Sequence, residues 1–142
     1  MLGIRDVFQQ LTAASIWNKD DVRKKIILCL NYIMSNGRAP RQFAVPAVEG
    51  MIPKFDIRQF IDQGLWVIET LHRYISRTGD YSILSEKCSY YEIIDEKKAQ
   101  YKKSEVVDSV LDHLIKITDY LTSNIDERTN CLKILYGDWN DA

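Results

Sequence analysis

Three short stretches of the sequence carry residue types able to do chemistry. Residues 137–141, Gly-Asp-Trp-Asn-Asp, set two carboxylates around an indole and an amide. An indole offers a flat apolar face to a sugar ring, while Asn and Asp can bind hydroxyls or move a proton. The plainer reading is a turn that starts a helix, with Asp138 or Asn140 as cap and Trp139 buried. Residues 3–10, GIRDVFQQ, place Arg5 beside Asp6 near the start of a helix, which taken alone is an ordinary surface pair. Residues 55–66, FDIRQFIDQGLW, hold Asp56, Arg58, Asp62 and Gln63. Arg58 and Asp62 are four apart and share a helical face, where an i,i+4 ion pair would account for them. Trp66, one turn further on, could serve as core or as a sugar platform.

The elements that must position these residues read as helices. Residues 19–35 put Val22, Ile26, Leu30, Ile33 and Met34 on one face, with Asn18 as N-cap, Asp20 and Asp21 suiting the dipole, and Gly37 able to end the helix. Residues 58–77 carry Trp66, Ile68, Leu71, Tyr74 and Ile75 along one stripe, with Gly79 beyond the end. Residues 104–123 open on Ser104 as N-cap and run Val107, Val110, Leu111, Leu114, Ile115 and Leu121 down one side. A shorter amphipathic piece lies at 4–14, and 81–87 reads as one or two helical turns. No stretch alternates cleanly between hairpin turns, so strand signals are weak. A connection at 36–56 holds all three prolines and is long enough to suggest a functional loop. The charged run 95–105 reads as a solvated turn between helices.

The bulk composition bounds the rest. A chain of 142 residues can build one domain with a real core, and 46% hydrophobic with 27% charged residues is globular. A formal net charge of −1 gives no reason to expect nucleic acid or an anionic membrane as partner. No apolar run approaches the roughly 20 residues that span a bilayer. Cys29, Cys88 and Cys131 form no C-x-x-C pair, and His72 and His113 form no ligand motif. The expectation is reduced thiols in the cytoplasm, with no metal.

In order along the chain, these segments resemble the phosphorylases of glycoside hydrolase family 94. GIRDVFQQL looks like that family's G-Y-R-D-x-x-Q-D segment. RQF at 41–43, DIRQFIDQGLW followed by RTGDYSIL, SVLDHL at 109–114 and GDWNDA complete the series. The 51–75 segment is closer to the β-1,2-glucan branch than to the cellobiose and chitobiose branches. The resemblance implies an all-α fold, an (α/α)6 barrel of which this chain would supply five or six helices with long loops. Residues 1–142 would then be a partial catalytic domain, cut one residue after the D-W-N-D motif.

The resemblance also implies the chemistry: phosphorolysis of a β-glucosidic bond with inversion, giving α-glucose 1-phosphate. It makes Asp141 the general acid and places Trp139, Arg5, Asp6, Arg58 and Asp62 around the donor sugar. Gln63 stands where the family carries the second carboxylate of a D-D pair, so either Asp62 or Gln63 occupies the sugar-binding position. An inverting hydrolase needs a second carboxylate to activate water, whereas phosphate is already an anionic nucleophile. Burial beside Trp139 should raise the pKa of Asp141. The expected partners are a β-glucan oligosaccharide and inorganic phosphate as co-substrate, without a cofactor. The family's phosphate-binding residues follow D-W-N-D and fall outside this chain, so the chain alone should be inactive. Unpaired helix faces would lead either to self-association into homo-oligomers or to repacking. Two other readings remain: an inverting hydrolase on such a barrel, and a non-catalytic carbohydrate-binding helical piece.

Overall fold

The computed structural model describes residues 1–48 and 50–136. Helix α1 (Ile4–Ala14) and helix α2 (Lys19–Leu30) follow strand β1 (Leu2–Gly3). Strands β2 (Gln42–Phe43) and β3 (Phe55–Asp56) lead into helix α3 (Asp62–Thr78) and a 3-10 turn at Tyr81–Ser85. Strands β4 (Lys87–Asp95) and β5 (Gln100–Ser109), helix α4 (Val110–Thr122), and the short strands β6 (Ile125–Asp126) and β7 (Cys131–Leu132) complete it. The three sheets are antiparallel, in the orders β1-β2-β3, β4-β5 and β6-β7.

The all-α expectation is therefore corrected: the described residues form a mixed fold, with a long hairpin where a helix was expected at 104–109. Physical reasons hid that hairpin. Register shifts between Ser89 and Tyr91 and between Ile93 and Asp95 break the two-residue alternation of β4. Its turn places positive φ on Ala99 (51°), where no Gly or Asn advertises it. Helix α4 starts at Val110, capped by Ser109, whose side chain and that of Asp112 form a reciprocal capping box. Ser104 instead lies within β5.

Helix α2 has the expected cap, since Asn18 Oδ1 accepts from the Asp21 N–H. It ends at Leu30 rather than at 35, because Asn31 turns its side chain to other work. Its Nδ2 donates to the Ile27 carbonyl at 2.8 Å and its Oδ1 accepts from the Ser89 N–H at 2.8 Å. The chain beyond then pairs with β4: Tyr91 N–H donates to Ile33 O and Ser35 N–H to Tyr91 O. Helix α1 and the Gly79 cap of α3 (φ 69°) are as the sequence indicates.

Helices α1 and α3 run side by side in the same direction, because Arg5 meets Asp62, Thr12 meets Thr70, and Ser15 meets Arg77. Between these polar contacts Ile4, Phe8 and Leu11 of α1 face Val67, Leu71 and Tyr74 of α3 in one core. Helix α2 adds Val22, Ile26 and Leu30, and α4 adds Val110, Ile117 and Leu121. Full burial of each large side chain contributes about 1.5–3 kcal/mol.

Two sequence motifs work as joints. In "TGD", Asp80 accepts from Tyr74 Oη at 2.8 Å and from Arg23 Nε at 3.0 Å, tying the end of α3 to α2. In "SVLDHL", His113 stacks on Tyr90 at 3.9 Å, and its ring nitrogens meet the carbonyls of Ser109 and Ser89.

Gly37 (φ 85°) turns the chain against α4, where a Cβ would overlap the Lys116 carbonyl. Gly79 has the same left-handed backbone with open space around it. Gly79→Ala should cost about 1 kcal/mol of unfolding free energy, from backbone strain alone. Gly37→Ala should cost about 3 kcal/mol, since overpacking adds to the strain. Urea unfolding of the two variants checks the difference; equal losses would contradict the packing of this turn on α4.

Candidate functional site

Because α1 and α3 are parallel, their N-termini meet at one end of the pair. The cap residue of α1 is Gly3, which has no side chain to satisfy the first turn. Gln63 supplies that function from α3: its Oε1 accepts the Arg5 backbone N–H at 2.9 Å. Its Nε2 donates to Asp62 Oδ1 at 3.2 Å, and Arg5 Nη1 donates to Asp62 Oδ2 at 3.0 Å. Both carboxylate oxygens of Asp62 are thus held, one by a cation and one by an amide. Arg5 and Asp62 are each 19% exposed at the side chain, whereas Asp6 is 64% exposed and only 3.9 Å from Arg5 Nε. Each carboxylate lies in the first turn of its helix, where the helix dipole favours negative charge.

Over this junction lies an open cavity of about 340 Å³ lined by Arg5, Asp6, Gln9, Asp62 and Trp66. That volume falls in the range of small-ligand sites. Trp66 packs partly against the core and lends its remaining surface to the cavity wall. Gln63 lies beneath, in a smaller recess that Arg5 and Asp6 share with Gly3, Arg41 and Gln42. The structure thus groups an indole, two carboxylates, a guanidinium and a carboxamide around one ring-sized space, a donor and acceptor set suited to hydroxyls.

Arg58 is placed differently from its sequence spacing. It precedes α3 and shares no helical face with Asp62. Instead its Nη2 donates to Asp56 Oδ2 at 2.7 Å and its backbone N–H to Asp56 Oδ1 at 3.1 Å. Arg41 Nη1 reaches Asp56 Oδ2 at 3.1 Å, and the two guanidinium groups lie over the Phe60 ring at 4.9 and 5.8 Å. Asp56 is therefore the anchor of a two-arginine cluster, in a role that only its position two residues before Arg58 hinted at. Hydrogen bonding from Arg58, then from Arg41, holds its pKa down to about 2 against the opposing effect of burial.

Trp139 and Asp141 lie outside the described residues. Leu135 pairs with Phe60, and the Tyr136 N–H donates to the Gln59 carbonyl at 3.2 Å. Leu135 adopts φ 55°, a left-handed conformation rarely taken by a leucine. The chain so reaches residue 136 directly beside the Arg58–Phe60 segment.

Asp80 is held down to about 2 as well, first by the Ser82 hydroxyl, then by Tyr74 and Arg23. An unfolded Asp titrates near 3.9. The folded state therefore keeps these two carboxylates ionised where the unfolded chain has protonated them. Their contribution is complete above about pH 4 and is lost as pH falls toward 2. The Asp56→Asn/Asp80→Asn variant should show a flatter loss of unfolding midpoint between pH 4 and 2 than the parent, measured by urea titration. An unchanged slope would rule out both carboxylates as the source of acid sensitivity.

Comparison with known proteins bears on the family. The family description "Glycosyl hydrolase 94 superfamily, catalytic domain" matches residues 1–142. A curated relative, solabiose phosphorylase from Paenibacillus borealis, is 26% identical over 140 residues, covering 99% of this chain and 15% of its own length. This chain thus spans a small part of the relative it matches. The cavity, the Arg5–Asp62 pair and the approach to residues 137–141 all lie within the matched segment, and the chain belongs to the glycosyl hydrolase 94 superfamily.

Proposed function

We propose that this chain contributes the donor-sugar side of an inverting glycoside phosphorylase, with Asp141 as its general acid. The observation that carries the reading is the docking of Tyr136 on Gln59. Asp141 follows five residues later, and five residues reach at most about 17 Å. That reach is enough for the acid to meet a sugar held beside the segment carrying Arg58, Phe60 and Asp62. In this reading an oxygen of inorganic phosphate attacks the anomeric carbon and the glycosidic C–O bond breaks. The Asp141 proton passes to the leaving oxygen, and the products are α-glucose 1-phosphate and a shortened saccharide.

Trp66 and Trp139 offer the stacking faces, Asp6 and Asp62 accept from hydroxyls, and Arg5 and Arg58 fix the carboxylates and donate. The segment around 51–75 favours a β-1,2-linked glucan as substrate. The relative is named for solabiose, so both belong in the assay. Three free thiols support a reducing compartment, the cytoplasm. Exposed Leu65, Leu111 and Ile115 support self-association of the isolated chain. Because the chain spans 15% of its relative, phosphorolysis is proposed for the intact protein and not for residues 1–142 alone.

The test is sugar-phosphate release by the intact protein from sophorose and from solabiose, with and without phosphate. Phosphate-dependent turnover is expected, lost by at least about 10³-fold in Asp141→Asn while calorimetric sugar binding persists. Turnover without phosphate would establish the hydrolase reading instead. Binding without turnover in either condition would leave a carbohydrate-binding module.

A further inference from the structure

Behind the Gln59–Phe60 segment lies a small, partly open cavity of about 10 Å³, lined by Arg38, Gln59, Phe60, Gly64, Tyr120 and Leu121 among others. Two buried polar atoms in this region, Arg38 Nε and the Tyr120 hydroxyl, have no hydrogen-bond partner in the protein. The Arg38 side chain is only 4% exposed, and its two terminal nitrogens are already committed to Glu96 at 3.3 and 3.1 Å. Arg38 and Tyr120 face each other across this shared lining, and burial raises the Tyr120 pKa.

A buried polar group left unpaired is destabilising, and both of these belong to residues that line the same space. The space matches one water molecule, which needs about 10–15 Å³ and two to four polar partners. It is too small for a sugar or a phosphate. Arg38 Nε–H can only donate, so its partner must accept. The Tyr120 hydroxyl can do either, so one water can accept from Arg38 and exchange a hydrogen bond with Tyr120.

We propose that one ordered water molecule is a fixed component of this fold, bridging Arg38 Nε and the Tyr120 hydroxyl. The bridge joins the turn before β2 to α4, beneath the start of α3. Its position matters to the candidate site, since Gln59 and Phe60 line the same cavity and also receive Tyr136 and Leu135. The inference stands on this packing and does not depend on the enzymatic reading.

Tyr120→Phe decides the matter by the sign of its effect, because it deletes one hydroxyl and keeps the ring. If the water bridges, the variant loses a hydrogen bond and its unfolding equilibrium constant rises about five-fold. If the hydroxyl is buried dry, deleting it relieves an unpaired group, and the constant falls or stays the same; that result overturns the proposal. A crystal structure of residues 1–142 supplies the second readout. A density peak within 2.7–3.2 Å of both Arg38 Nε and Tyr120 Oη is expected, and continuous protein packing between them, with no peak, would overturn the proposal independently.

Discussion

The parallel pairing of α1 and α3 is the constraint on which the rest of the structure depends. Parallel helices bring two N-termini together, each with backbone donors that need acceptors. At α1 the cap position is glycine, and the acceptor comes from the neighbouring helix through Gln63. That single side chain has both its amide atoms engaged, one capping α1 and one holding Asp62. A carboxylate at position 63 could accept from the Arg5 N–H but could not donate to Asp62, and would set two negative charges side by side. The glutamine therefore fits a junction that already contains Asp62 and Asp6.

What the junction supports is a surface of paired charge with few unpaired groups. Arg5 neutralises Asp62, and Asp56 gathers Arg41 and Arg58 over Phe60. These guanidinium and carboxylate groups hold one another in place, and groups held before a ligand arrives would bind it at a lower entropic cost. Asp6 is the contrast: exposed and loosely held, it is the carboxylate with most freedom to meet a ligand. Leu135 is a strained, left-handed residue at the point where the chain meets Gln59, just before residues 137–141.

Much of this was legible in the sequence, and the rest was hidden for identifiable reasons. The bounds of α1, the Asn18 cap and the Gly79 terminus follow from local chemistry and hold in the structure. The strands do not follow, because β4 owes its burial to α2 and α4 rather than to alternation, and its turn uses Ala99 where Gly would be expected. Helix α2 stops early because Asn31 bonds to Ser89, a partner 58 residues away that no window of sequence contains. At the site, residue types were readable but pairings were not. Arg58 reads as a partner for Asp62 by spacing, yet the residues before α3 are extended and give it to Asp56. Arg5 and Gln63 are likewise joined only by tertiary packing.

The claim that the Arg5–Asp62 contact locks α1 to α3 is tested most directly by a double-mutant cycle. Unfolding free energies would be measured for the parent, Arg5→Ala, Asp62→Ala and the double variant at low salt. A coupling of about 1 kcal/mol or more is expected, since the two side chains are mostly shielded and share a network with Gln63. Additivity within about 0.3 kcal/mol would mean that the pair is incidental and that the apolar faces of α1 and α3 alone set the geometry of the site.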